Sequence, residues 1–180
     1  MKGAWGQIVS RIAVFVVALA YFLSLRDYGF QVEDEGTVLF QISRVLSGQR
    51  PYIDFHTGYA PGYWAIASFL FDAVGRDVNV LRTVLALINA STVLLIHEIA
   101  SRAVGARWAL LPSLGWLASI PVVIGDFASF NVPYPAWFAT LAWLIVALAI
   151  LSWARSGAIS ALIVTGITSA IAFSIKPNAG

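Results

Sequence analysis

Long apolar runs, nearly free of charge, constrain this chain more than any other feature. They cover residues 8–25, 78–101, 108–124, 134–153 and 158–175, each near the roughly 18 or more residues that a bilayer-spanning helix needs. In lipid every backbone N–H and C=O must be satisfied internally, and a single run of this length achieves that as a helix. The expected fold class is therefore all-α: a polytopic transmembrane helix bundle. Composition agrees, with 59% hydrophobic and 11% charged residues and a mean hydropathy of +0.82, which excludes an ordinary soluble domain. Lysines and arginines are scattered singly, so no nucleic-acid partner is expected. The absence of cysteine excludes disulfides and thiolate metal sites.

Lys2 and Arg11 precede the apolar stretch 12–25 of the first run, which ends in Ser24-Leu25-Arg26-Asp27 without a small-x-small cleavage site. This reads as an uncleaved signal anchor, with Arg11 snorkelling to the headgroups. The polar loop 26–77 that follows contains two further helical patterns. Within Gly36–Ser47, Val38, Leu39, Ile42, Val45 and Leu46 share one face, the mark of an amphipathic helix lying in the interface. Residues 61–74 are apolar, but ~21 Å of helix falls short of a ~30 Å core, so an interfacial or re-entrant helix is expected. If 61–74 does not cross, Lys2, Arg11, Arg102, Arg107 and Arg155 share one side, and the acidic loop, Asp126 and Lys176 share the other. The chain stops at Gly180 directly after a run, which reads as the N-terminal part of a longer protein.

Two patches carry chemistry. Glu33-Asp34-Glu35 opens the amphipathic helix. Carboxylates there suit the helix dipole and capping, but they also suit a general base at the membrane surface, where neighbouring charge and thin water raise a carboxyl pKa. Residues 50–64, RPYIDFHTGYAPGYW, read either as an interfacial aromatic belt or as a site. Aromatic rings such as Tyr59, with Asp54 and His56 among them, suit sugar faces and polyprenyl chains. Arg44, Arg82 and Lys176 are candidate cations for a phosphate leaving group. Only His97 accompanies His56, so no histidine-based metal site is expected. Asp34, Glu35 and Asp126 form an oxygen set of the kind that suits a divalent ion, a weak signal, and no cofactor is expected.

The layout of an uncleaved first span, an acidic pair opening an amphipathic helix, GQRPYIDFHTGYAPGYW, a span bearing Arg82, and a terminal Lys176-Pro177 resembles the GT-C superfamily of membrane glycosyltransferases. It is most similar to the bacterial branch related to protein O-mannosyltransferases and aminoarabinose transferases. The resemblance implies transfer of a sugar from a polyprenyl-phosphate donor to a glycan, lipid or protein acceptor. The chain would sit multi-pass in the inner (plasma) membrane, its N-terminus cytoplasmic and its site loop on the outer, periplasmic face. It also implies that Asp34 is the first-loop carboxylate, with Glu35 beside it, Asp126 the second-loop acid and Lys176 a phosphate-contacting lysine. A Lys-Pro-Pro-Leu-like turn of the mannosyltransferases is replaced here by Ala60-Pro61-Gly62-Tyr63, so one donor-phosphate contact is missing. The other functional classes open to such a chain are a transporter or flippase subunit and a non-catalytic assembly subunit.

Overall fold

A computed structural model describes residues 2–119, 122–123 and 127–177. Seven α-helices are present among them: α1 (Lys2–Ser24), α2 (Asp34–Leu46), α3 (Pro61–Val74), α4 (Val78–Val104), α5 (Leu110–Ala118), α6 (Pro135–Ser156) and α7 (Ile159–Ile175). The other elements are a two-residue antiparallel pair, Val122–Val123 with Phe127–Ala128, and a 3-10 turn at Ser129–Asn131. Three helices are long and apolar enough to cross a membrane: Trp5–Ser24 of α1, Val78–Val104 and Pro135–Ser156. They extend for about 30, 40 and 33 Å respectively. α7 is equally apolar but has 17 residues.

α4 is the axis of the bundle. Asp77 caps it, accepting the Asn79 N–H at 2.8 Å. Arg82, Leu85, Ala86, Asn89, Ala90, Val93 and His97 are buried along it at three- and four-residue spacing, one continuous stripe. α1, α3, α5 and α6 all pack on α4, and α7 closes against α6. Much of α1 and α7 faces outward with valine, isoleucine, leucine and phenylalanine, a surface suited to lipid.

Polar contacts fix the relative directions of α1, α4 and α6. Arg11 of α1, Glu98 and Arg102 of α4 and Arg155 of α6 meet at one end of the bundle. At the other end Arg82 of α4 reaches Glu35, and Tyr134, just before α6, reaches Asp34. α4 and α6 therefore run parallel, and the chain between them must return along the whole bundle.

That return is where the expected span 108–124 departs from a full helix. α5 has nine residues, ~14 Å of rise, and Pro121, three residues past its end, cannot continue a helix. Among the described residues the rest of the return holds no further α-helix, and its last part is shielded by protein. Phe130, Asn131 and Val132 are buried, and Phe130 stacks on Trp137 at 4.4 Å and packs against Phe22 and Trp116. Irregular backbone at membrane depth is tolerated on that condition.

α3 lies where α4 begins and α7 ends. Gly62 permits the approach to α7: a Cβ there would sit 2.7 and 2.9 Å from the backbone O and C of Ser174. Tyr63, fully buried, donates its hydroxyl hydrogen bond to the Pro133 carbonyl. We predict that Gly62→Ala pushes α3 off α7 and destabilises the protein by about 1–3 kcal/mol. Gly36→Ala in α2, with nothing within 4 Å of the new methyl, leaves stability unchanged or raises it by up to ~1 kcal/mol. Thermal unfolding of the two purified variants in detergent checks both.

Candidate functional site

The two neighbouring carboxylates at the start of α2 have opposite fates. On a helix, adjacent residues point about 100° apart, so one faces the bundle and the other the rim. Glu35 turns inward and is 0% exposed, and Arg82, at 5% exposed, meets it side by side: Nε donates to Oε1 at 2.8 Å and Nη2 to Oε2 at 2.7 Å. Arg82 also donates to the Arg26 carbonyl at 2.8 Å and the Gly29 carbonyl at 2.7 Å, with Phe30 5.9 Å from its guanidinium. Such a bidentate pair is strong and directional. It occupies both partners, so Glu35 is no candidate base and Arg82 no candidate phosphate ligand. Their role is to tie the loop after α1 to α4. Asn131 holds the same loop from the other side, its amide donating to the carbonyls of Leu25 and Tyr28.

Asp34 faces outward and is exposed. Its backbone N–H is capped by the Gln31 side chain, and its Oδ2 accepts a hydrogen bond from the Tyr134 hydroxyl. Capping is thus done by Gln31, not by the carboxylate triplet. α2 begins two residues before the expected Gly36, which places Asp34 and Glu35 in its first turn. Burial, then the bond to Asp34 and its charge, push the Tyr134 phenol well above its ordinary pKa. Burial and the Asp34 charge raise Tyr59 as well.

Tyr59 connects this rim to a cleft of about 370 Å³ lined by Tyr52, Gly58, Tyr59, Ala60, Ile175 and Lys176. Lys176, half-buried, thus shares a wall with Tyr59 at the end of α7. Behind the cleft Tyr59, Tyr63 and Trp64 pack at 5.0–5.7 Å, and Phe138 meets Tyr63 at 5.8 Å. Tyr52, at φ +68, holds a left-handed conformation that costs an ordinary residue about 1–2 kcal/mol. Its hydroxyl donates to the Tyr59 carbonyl and its N–H to the Phe55 carbonyl at 2.9 Å, bonds that offset the strain and shape the cleft wall.

Other predicted residues shape the loop. Arg44 donates to the Asp54 carbonyl at 3.0 Å and to Gln49, and lies 4.5 Å over the Phe55 ring. Asp54 accepts the Arg50 N–H at 2.6 Å, the main reason its carboxyl is held below the ordinary value. Both therefore maintain the turn 49–55, in place of the substrate contacts expected of them. His56 is exposed and makes no hydrogen bond among the described residues. Asp126 lies outside the described residues. With Glu35 committed to Arg82, the oxygen set for a divalent ion loses one of its three members. Tyr134 and Gln31 went unremarked in the sequence. The signal for Tyr134 is its place between Pro133 and Pro135 at a helix start, which holds its backbone extended.

Compared with known protein families, with curated proteins and with solved structures, the chain matches none.

Glu35→Gln and Arg82→Met are each predicted to cost about 3–5 kcal/mol, because each strands a buried charge. The double variant Glu35→Met with Arg82→Met recovers part of that loss, the remainder reflecting the uncapped Arg26 and Gly29 carbonyls. Denaturant unfolding in micelles measures all three. A second expectation concerns alkaline pH. Tyr63, raised chiefly by burial, and Tyr134 keep their protons in the folded state above the unfolded phenol pKa of about 10. Their stabilisation is full below that pH and declines as pH rises through it toward the folded values. Tyrosinate absorbance should show a late step that shrinks in Tyr134→Phe and again in Tyr63→Phe.

Proposed function

We propose that this chain supplies the acceptor-side wall of a membrane glycosyltransferase that uses a polyprenyl-phosphate-linked sugar. The observation carrying this reading is an exposed carboxylate, Asp34, oriented by the Tyr134 hydroxyl and connected through Tyr59 to a cleft that ends at Lys176. In the reaction Asp34 takes the proton of an acceptor hydroxyl as its oxygen attacks the anomeric carbon. The bond from that carbon to the phosphate oxygen breaks, and the departing lipid phosphate is neutralised by Lys176. Tyr134 keeps one oxygen of Asp34 engaged and leaves the other for the acceptor. The aromatic wall of Tyr52 and Tyr59 suits a sugar face or the first isoprene units.

The resemblance to the GT-C layout implies the orientation: a multi-pass protein of the inner membrane with the Asp34 end outward and the N-terminus cytoplasmic. A transporter would gather its charges and broken helices at the midplane. Here the charged side chains of α1, α4 and α6 gather at the bundle ends, which favours chemistry at the membrane surface.

Asp34→Asn in the full-length protein is expected to lower transfer from a labelled polyprenyl-phosphate sugar by about 10²–10⁴-fold, with unchanged thermal unfolding. Lys176→Ala should slow turnover while Lys176→Arg retains most of it. Full turnover by a well-folded Asp34→Asn variant would sink the assignment.

A further inference from the structure

The end of the bundle opposite Asp34 holds a second polar cavity, of about 430 Å³, between the ends of α1, α4 and α6. Arg11, Glu98, Arg102, Arg155, Ser10 and His97 line it. Three guanidiniums face one carboxylate there, so two positive charges are left over. Glu98 forms an ion pair with Arg11 at 2.8 Å and accepts from Arg102 at 3.1 and 3.2 Å. Arg102 spends a third donor on Ser152 Oγ at 2.9 Å. Arg155 spends one donor on the Arg102 carbonyl at 3.1 Å. The remaining N–H groups of Arg11 and Arg155 have no partner among the described residues. His97 is buried beside them, its Nε2 3.4 Å from Ser10 Oγ and its Nδ1 unpaired among the described residues. Planar, uncommitted guanidinium forks of this kind match the oxygens of a phosphate.

One helical turn further along the same seam the chemistry changes completely. A groove of about 190 Å³ is lined by Ala13, Val14 and Val17 of α1, Val93 of α4, and Leu110 and Leu114 of α5. Ser113, also at this groove, turns its hydroxyl back to the Ala109 carbonyl at 2.9 Å. Val14 follows Arg11 by three residues and Val93 precedes His97 by four, so the groove continues the arginine cavity toward the middle of the bundle.

We propose that this cavity and groove together form a binding site for an anionic phospholipid, its phosphate among Arg11, Arg155 and His97 and an acyl chain along α1, α4 and α5. Surplus positive charge selects the headgroup, and the apolar groove selects a lipid over free phosphate. The site is separate from the Asp34 cleft, so it stands whether or not the chain is part of a transferase.

The test measures binding of short-chain phosphatidylglycerol, phosphatidylcholine with the same chains, and inorganic phosphate to the purified full chain in detergent. Readouts are the unfolding midpoint and native mass spectrometry. Phosphatidylglycerol should bind more tightly than phosphatidylcholine and raise the midpoint more than inorganic phosphate at equal concentration. Arg11→Gln and Arg155→Gln should each weaken it about fivefold, from the typical contribution of one basic residue near an anionic headgroup. Both arginines reach solvent, and the lipid-free midpoints of these variants report whether the fold is intact. Val17→Trp, filling the groove, should weaken lipid binding and leave phosphate binding unchanged. Equal binding of the two lipids, or loss of neither with the arginine substitutions, would overturn the proposal. So would inorganic phosphate reproducing the whole shift, which would mark a site for the free anion.

Discussion

A guanidinium inside an apolar bundle dictates much of this structure. Arg82 sits one turn into α4, where its charge has no water to solvate it, and the fold must bring it an anion and several carbonyls. Glu35 supplies the anion, and the loop after α1 folds back so that Arg26 and Gly29 supply the carbonyls. The direction of α2 follows, since its first turn must point Glu35 at α4. Breaking such a pair is far costlier than its net contribution to stability suggests, so it serves best as a determinant of register. With α2 fixed, the residue before Glu35 is held at the rim, and Tyr134 finds it there.

Helix content and the apolar runs were legible because periodicity and length are local properties. Helix 61–74 has the expected bounds, and 78–101 and 134–153 needed only a turn added at the C-terminal end. The run 108–124 misled because hydropathy records where a segment sits and not whether it is helical. Within it, Leu110–Ala118 is the α-helical part among the described residues. The acidic triplet attracted notice as a unit, yet sequence adjacency hid the division of labour within it. Which carboxylate is buried depends on a partner 47 residues away, and no local pattern encodes that. Arg44 and Asp54 look like ligands in a list of charged residues, while their geometry makes them the frame of a turn. The mid-helix Asn89 is buried with both amide atoms unpaired among the described residues.

The two ends of the bundle differ in how their charge is managed. Near α2, Arg82 is saturated and the exposed groups are a carboxylate and phenols. Near Arg155 a single glutamate is shared by two arginines and cation donors remain. The same helix, α4, carries the balancing group at each end, Arg82 in its second turn and Glu98 six residues before its last.

The parallel course of α4 and α6 has a consequence for how the protein is made. The loop after α1 is clasped by Asn131, 106 residues after Leu25, and the rim carboxylate is met by a phenol 100 residues later. Neither contact can exist until the return from α4 to α6 has been synthesised and threaded back across the bundle. Helices α1 and α4 can pair as they emerge, whereas α3 also waits for Pro133 and α7. The Asp34 rim is thus completed late, by long-range closures of the kind that slow folding, and a chain interrupted before residue 131 would have its carboxylate positioned by the Arg82 clasp without the phenol.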